Sequence, residues 1–278
     1  SQYQTFSNLI NSYLYNSTMQ HISELKEVKH INLIVFDVDG VIVPRGTEII
    51  ESGSSVTFNL KFPPKKFIET TKELLNYSNV AISSGRSMLT LKTMFTELFG
   101  EYKNNNHFIL QAENGGRISI GPEEIGAGHN PDYIKSLSTL RAELRKVQHQ
   151  HIKGFEPKET FLTIHCQDRV PQIEEIIDKN NYYLIWNGEA YDIGDPNITK
   201  GTGLQRIKEL LSQRTGKPIN AIAIGDRQND IDLLQQADIS VSADAKVLTE
   251  ANYYVPDDNE TLPGLILAKH LLERFKEN

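Results

Sequence analysis

The stretch Leu33-Ile34-Val35-Phe36-Asp37-Val38-Asp39-Gly40-Val41-Ile42-Val43 sets an apolar run directly before two aspartates and a glycine. Such a run suits a strand buried on both faces. Residues i and i+2 of a strand share a face. As the chain leaves the strand, Asp37 and Asp39 both reach one crevice at its carboxyl end, where open α/β sheets bind ligands. Two carboxylates so placed repel each other, and a divalent cation, or a proton on one of them, relieves the repulsion. One carboxylate is then free to attack as a nucleophile while the other transfers protons. Read alone, the same residues also describe a strand followed by an ordinary Asp-Gly turn.

Three further segments repeat this geometry. Asn79-Val80-Ala81-Ile82 ends in Ser83-Ser84-Gly85-Arg86. A hydroxyl and a backbone N–H between a strand end and a helix start suit a phosphate oxygen. Lys200-Gly201-Thr202-Gly203 opens a helical pattern carried by Leu204, Ile207, Leu210 and Leu211. A lysine at a helix start opposes the helix dipole, which makes an anionic companion more plausible than usual. Ala221-Ile222-Ala223-Ile224 runs into Gly225-Asp226-Arg227-Gln228-Asn229-Asp230. Asp226, Asn229 and Asp230 are oxygen ligands of the kind hard cations take. Each segment has an ordinary reading: a Ser-Gly turn with an N-cap serine, a solvated lysine, a helix start rich in capping residues. Jointly they bring aspartates, a hydroxyl and a lysine to one edge of a parallel sheet.

In this order the four segments resemble the four motifs of the haloacid dehalogenase superfamily of phosphatases, over a stretch from about Ile31 to the late 260s. The resemblance implies an α/β fold: a doubly wound, Rossmann-like parallel-sheet core with a smaller inserted α+β cap domain. It implies Mg²⁺ as cofactor and a role for each matching residue. Asp37 is the nucleophile that becomes an aspartyl-phosphate. Asp39 is the general acid/base, and its backbone carbonyl helps hold Mg²⁺. Ser84, with Gly85 and Arg86, binds the phosphoryl group. Lys200 neutralises the charge of nucleophile and phosphate. Asp226 is a Mg²⁺ ligand beside Asp37, and Asn229 and Asp230 support the metal's surroundings. Family members that act as dehalogenases lack the second aspartate, so Asp39 favours phosphoryl transfer. Val41 stands where many members have Thr.

Composition agrees with these expectations. A chain of 278 residues predicts one large domain or two. The net charge of −7, from 29 Lys+Arg against 36 Asp+Glu, argues against sequence-independent nucleic-acid binding. No apolar stretch approaches the roughly 20 residues of a membrane span. The single Cys166 fits a reducing compartment. The first residues show no charged-then-apolar signal pattern, so a cytoplasmic location is expected. The expected partner is a small phosphorylated molecule, with the chain a monomer or homodimer.

Strand–helix alternation assigns residues 31–115 and 195–278 to the core and 116–194 to the cap. Within the latter, strands are predicted at 117–120, 160–166, 182–186 and 189–193, and helices at 132–148 and 171–179. A helix at 88–99 belongs to the core. Residues 47–50 and 56–60 predict a β-hairpin just after the nucleophile, able to contact substrate or to pack on the cap. Residues 1–30 predict a helical extension, because Phe6, Leu9, Ile10, Tyr13, Leu14, Ile22, Leu25 and Val28 have helical spacing.

In the cap, Glu156-Pro157-Lys158 precedes the run Phe161-Leu162-Thr163-Ile164-His165, and Asp192 falls eight residues before Lys200. This arrangement resembles the cap of trehalose-6-phosphate phosphatases and their Cof-like sugar-phosphatase relatives, with Asp192 in place of a glutamate. There, such residues bind sugar hydroxyls. The ordinary reading of Glu156 and Lys158 is a solvated surface pair. The leading expectation is thus a Mg²⁺-dependent phosphatase of a small phosphorylated sugar. A phosphosugar mutase of the same superfamily and a non-catalytic protein that keeps the fold are the alternatives.

Overall fold

The computed structural model describes residues 19–126 and 131–277. Its elements up to the first long excursion are β1 (Gln20–His21), β2 (Leu33–Asp37), β3 (Glu48–Ser52), β4 (Ser55–Asn59), α1 (Lys65–Leu74), β5 (Asn79–Ser83), α2 (Met88–Met94), α3 (Thr96–Tyr102), β6 (Phe108–Ala112), β7 (Arg117–Ile120) and β8 (Glu123–Gly126). An inserted unit follows, with α4 (Pro131–Arg145), β9 (Ile152–Glu156), β10 (Phe161–Cys166), α5 (Pro171–Ile176), β11 (Tyr183–Trp186) and β12 (Ala190–Gly194). The chain closes with α6 (Lys200–Thr215), β13 (Ala221–Gly225), α7 (Ile231–Gln236), β14 (Ile239–Ser242), β15 (Tyr253–Tyr254) and α8 (Pro263–Lys276).

The larger sheet has the order β1-β15-β14-β13-β2-β5-β6-β7-β8. It is parallel from β1 through β6, and β7 and β8 add an antiparallel edge. Every residue of β2, β6 and β13 is buried. That is why these strands read as unbroken apolar runs: helices cover both faces. Ile34, Phe36, Ile82 and Ile224 pack with Phe67 of α1 and Leu271 of α8 on one face. Leu33, Val35, Ala81 and Ala223 pack with Leu204 and Ile207 of α6 and Leu233 of α7 on the other. The registers Asp37↔Ser83, Ser83↔Gln111 and Phe36↔Ile224 hold the carboxyl ends of β2, β5, β6 and β13 level.

The second sheet is antiparallel, in the order β11-β12-β10-β9-β3-β4. One face is apolar: Phe155, Leu162, Ile164, Tyr191 and Ile193 pack with Leu137, Leu140 and Leu144 of α4 and Ile173 of α5. The alternate residues Glu156, Thr163, His165 and Asp192 occupy the opposite face.

Several expectations are corrected. The strand at 117–120 belongs to the larger sheet, not the cap, because β7 pairs with β6 and continues into β8. The inserted unit therefore begins after Gly126. The helix at 88–99 is two helices, broken at Phe95 with φ −113° and ψ 33°. Of the helical extension, residues 1–18 lie outside the described residues. Ile22, Leu25 and Val28 are buried in the core, but only a 3₁₀ turn, Ile22–Glu24, forms among them. Among the described residues, no helix is long and apolar enough to cross a membrane.

The strand β9 escapes a reading by alternation because Gly154 interrupts it. That glycine has φ 153°, and a Cβ there would lie 2.5 Å from Ile50 Cγ2 and 2.6 Å from the Glu51 carbonyl oxygen. Its missing side chain is what lets the β3–β4 hairpin dock on β9, where Glu51 faces Phe155. Gly154→Ala should therefore expel the hairpin and cost about 1–3 kcal/mol from overpacking. Thermal unfolding should show a lower Tm, and limited proteolysis should cut first near residues 52–55. An unchanged Tm with a protected hairpin would show that β9 tolerates the added carbon.

Candidate active site

β2 delivers Asp37, and the chain then turns sharply. The N–H groups of Val41, Ile42 and Val43 all donate to the Val38 carbonyl, and Gly40 N–H donates to Val43 O. This turn keeps Asp37 and Asp39 at the sheet edge. Asp226 leaves the neighbouring strand β13 at the same level, and Asp230 follows it into α7. Oxygens of Asp37, Asp226 and Asp230 lie within 4.8 Å of one another, and all three residues are buried.

Lys200 enters this cluster from the first turn of α6, which Thr199 caps through a reciprocal bond with Thr202. Its Nζ donates to Asp37 Oδ1 at 2.8 Å and to Asp230 Oδ1 at 2.6 Å, and the residue is 2% exposed. The unfavourable helix-start position is thus offset by two carboxylates. Burial opposes the lysine's charge, but Asp230 and Asp37 outweigh it and hold the ammonium protonated. Burial pushes Asp37 well above the usual carboxylate range, with Asp230 adding to the effect and Lys200 offsetting part of it. Asp226 is raised by burial despite Arg45. Asp230 lies below its ordinary value, because Lys200 and its hydrogen bonds exceed the cost of burial.

The donor set fits a hard cation. Asp230 is already engaged, since its Oδ2 accepts the N–H groups of Asp226 at 3.0 Å and Arg227 at 3.3 Å. Asp226 Oδ1 is buried and has no partner among the described residues. Asp37 and Asp226 are therefore the carboxylates able to hold an ion, and an all-oxygen set suits a cation such as Mg²⁺. The excess negative charge of three buried aspartates is what such an ion would relieve. Asn229 is exposed on the turn before α7.

Sequence reasoning missed Arg45. It follows the turn after Asp37, and its Nη2 donates to Asp226 Oδ2 at 2.5 Å while the side chain stays 44% exposed. A lone arginine in a polar loop has no periodic signal to betray it.

Ser84, buried at the end of β5, accepts the Arg86 N–H with its Oγ at 3.0 Å. Gly85 lies against the Asn114 side chain. Arg86 spans the two sheets. Its Nε and Nη2 donate to Asp39 Oδ2 and Oδ1 at 3.1 and 3.2 Å, a bidentate pair. Its Nη1 reaches Glu156 Oε2 at 3.2 Å, and Nη2 also donates to the Thr47 carbonyl at 2.8 Å.

On the inserted sheet, Glu156, Thr163 and Asp192 stand in register across β9, β10 and β12. Lys158 Nζ donates to Thr163 Oγ1 at 2.7 Å, and Thr163 Oγ1 donates to Asp192 Oδ1 at 2.7 Å. His165 Nε2 lies 2.9 Å from Glu156 Oε2. Glu156 is buried and in contact with Arg86, so it is no solvated surface group. Burial raises its pKa, but Lys158, His165 and Arg86 together hold it at about 2. This depression stabilises the fold fully above the ordinary glutamate range, and the contribution is lost as pH falls through about 2. Thr163 and His165 join the row through the strand period, a pairing only the sheet register reveals.

The sequence profile of haloacid dehalogenase-like hydrolases matches residues 102–264, more than half of the chain. The phosphoglycolate phosphatase of Methanopyrus kandleri is 30% identical over 140 residues, which cover 48% of this chain and 58% of that protein. The chain thus spans little more than half the length of that relative. The phosphoglycolate phosphatase of Nitrosopumilus maritimus is 26% identical over 179 residues, 63% of this chain and 72% of that protein. A solved structure, the C-terminal domain of trehalose-6-phosphate phosphatase from C. albicans, superposes with a TM-score of 0.62 at 17% identity. That superposition covers 91% of this chain and 99% of that one, and at such low identity it speaks to the fold alone. The profile match and the shared fold agree with the sheet order and the aspartate cluster: the chain belongs to the haloacid dehalogenase-like hydrolase family.

Proposed function

We propose that the protein is a Mg²⁺-dependent phosphomonoesterase that hydrolyses a small phosphorylated sugar or related phosphomonoester through an aspartyl-phosphate on Asp37. The observation that carries this reading is the buried Asp37–Lys200–Asp230 cluster, with the unpartnered Asp226 Oδ1 beside it. Lys200 orients the Asp37 carboxylate and offsets the charge that gathers as an oxygen of Asp37 bonds to phosphorus. Asp39 gives its proton to the departing alkoxide oxygen, then takes one from the water that attacks phosphorus and frees Asp37. Ser84 and the loop N–H groups receive phosphoryl oxygens. Asp37 and Asp226 would hold a cation, which would supply further neutralisation of the phosphoryl charge. Phosphoryl transfer needs chiefly such positioning and charge stabilisation.

The substrate class rests on the inserted sheet. Glu156, Lys158, Thr163 and Asp192 form a row of acceptors and donors of the kind sugar hydroxyls engage, and Arg86 connects that row to Asp39. The name that two sequence relatives share, phosphoglycolate phosphatase, supports a small phosphorylated metabolite.

Asp37→Asn should abolish release of inorganic phosphate from aryl and sugar phosphates while leaving the fold intact, because the amide cannot attack phosphorus. Asp39→Asn should lose roughly 10²- to 10⁴-fold in kcat. Chelation should stop turnover and Mg²⁺ restore it. Wild-type rates for Asp37→Asn, or full activity after exhaustive chelation, would refute the mechanism.

Arg45 occupies a carboxylate that the cation needs. Arg45→Gln should bind Mg²⁺ more tightly by roughly 2- to 10-fold, a modest gain because the half-exposed guanidinium is partly screened. Calorimetric titration of Mg²⁺ alone into the metal-free protein reads this directly. Equal or weaker binding would show that the arginine does not compete.

Lys158→Ala should reduce kcat/KM for a sugar phosphate by roughly 10- to 100-fold and leave an aryl phosphate nearly untouched, as expected for loss of charge-assisted hydrogen bonds. Equal losses on both would instead mean general damage to the inserted sheet.

A further inference from the structure

Glu113 lies in the turn after β6, outside every motif considered so far. Glu113, Asn114 and Gly115 have φ of 51°, 55° and 95°, three consecutive left-handed residues of which two carry side chains. Such backbone persists only where the surroundings enforce it. Here the Ser84–Arg86 loop enforces it: Glu113 N–H donates to Arg86 O at 2.9 Å and Asn114 N–H to Ser84 O at 3.0 Å.

The Glu113 carboxylate points the other way, into the inserted unit. Its Oε1 accepts the N–H groups of Glu159 at 2.7 Å and Thr160 at 2.8 Å, and the Thr160 hydroxyl at 3.2 Å. Glu113 is 1% exposed, and its Oε2 is buried with no partner among the described residues. A core carboxylate buried at such cost, with all three listening donors on one loop, holds that loop. That loop carries Lys158 and joins the end of β9 at Glu156 to β10. Gly116 leaves no slack, since a Cβ there would lie 2.0 Å from Thr160 Oγ1. Arg117 adds an ion pair to Glu159 at 3.1 Å.

We propose that Glu113 is a positioning residue for substrate selection. Its backbone is anchored to the Ser84–Arg86 loop and its carboxylate to the 159–160 loop, so it sets the separation between the phosphoryl-binding end of the crevice and the Glu156–Lys158 end. The inference rests on the reading above that the inserted sheet reads the substrate. An aryl phosphate, which needs only the phosphoryl end, does not sense this separation. A sugar phosphate that spans both ends does.

The test compares Glu113→Ala, Glu113→Gln, Gly116→Ala and Glu156→Ala on para-nitrophenyl phosphate and on trehalose 6-phosphate, glucose 6-phosphate and 2-phosphoglycolate. Glu113→Ala should lower kcat/KM by roughly 10- to 100-fold on whichever of the three metabolites the wild type hydrolyses best, chiefly through KM, as expected for lost charge-assisted hydrogen bonds. It should barely change para-nitrophenyl phosphate turnover. Glu113→Gln keeps the accepting oxygen and should restore most of the loss. Gly116→Ala leaves Glu113 in place but displaces Thr160, and should show the same selective loss even if Glu113→Ala folds poorly. Glu156→Ala should cost less in the Glu113→Ala background than alone, because residues acting through one loop are not additive. Equal losses on all substrates, or none for Glu113→Ala and Gly116→Ala while Glu156→Ala remains selective, would overturn the role of Glu113. No selectivity in Glu156→Ala itself would overturn the reading of the inserted sheet and this inference with it.

Discussion

The buried ion cluster of Lys200 with Asp37 and Asp230 constrains everything around it. Three ionisable groups have been taken out of water, and their attraction offsets the desolvation only in good geometry. That geometry needs β2 and β13 side by side, so that Asp37 and the chain leading to Asp230 arrive at one level. It also needs α6 to begin at the sheet edge, with its first residue pointing inward. Gln111 of β6 fixes that start by donating to the Lys200 carbonyl at 2.9 Å. Removing the lysine alone would leave two buried carboxylates facing each other, a change that typically costs 3–5 kcal/mol, roughly a third or more of the stability of a domain. The position that orients the Asp37 carboxylate is thus also one the fold cannot lose.

Arg86 extends the same logic to the second sheet. A guanidinium offers five donors in a fixed fork, and here they are divided among Asp39, Glu156 and the Thr47 carbonyl. Asp39 and the acid on β9 are therefore held by one planar group. Lysine could not do this, being a single point charge on a flexible stem.

Much of the core was legible in the sequence because burial on both faces leaves a simple mark. The apolar runs ending at Asp37, Ser83 and Gly225 each end in polar groups at the same sheet edge. Where burial is one-sided or partial, the mark fades. β7 follows the Glu113–Gly115 turn so closely that its change of direction looked like a change of domain, and only pairing with β6 returns it to the core. β9 was invisible because a glycine required by the docking of β3 breaks its alternation. Arg45 and Glu113 act through contacts between segments far apart in sequence, with Asp226 and with Thr160, so no local pattern announces them. Ile22, Leu25 and Val28 have helical spacing for a different reason: each fills a place on the same core surface, and a short turn between extended pieces achieves that as well as a helix.

The hairpin resolves a question its sequence left open. β3 joins the inserted sheet beside β9, while the chain entering it comes straight from the turn after Asp37 through Arg45 and Thr47. Ten residues separate Asp37 from the first residue of β3. Along that short tether, Arg45 meets Asp226 and the Thr47 carbonyl meets Arg86. The inserted sheet is thus tied to the carboxyl edge of the larger sheet at three places: this tether, the Arg86 bridge to Glu156, and the Glu113 hold on the 159–160 loop. Two of these pass through the Ser84–Arg86 loop, by side chain in one case and backbone in the other. A displacement of the inserted sheet is therefore opposed at three places, none of which runs through Lys200, so the distance from the Ser84–Arg86 loop to Glu156 and Lys158 is held without disturbing the buried cluster beneath them.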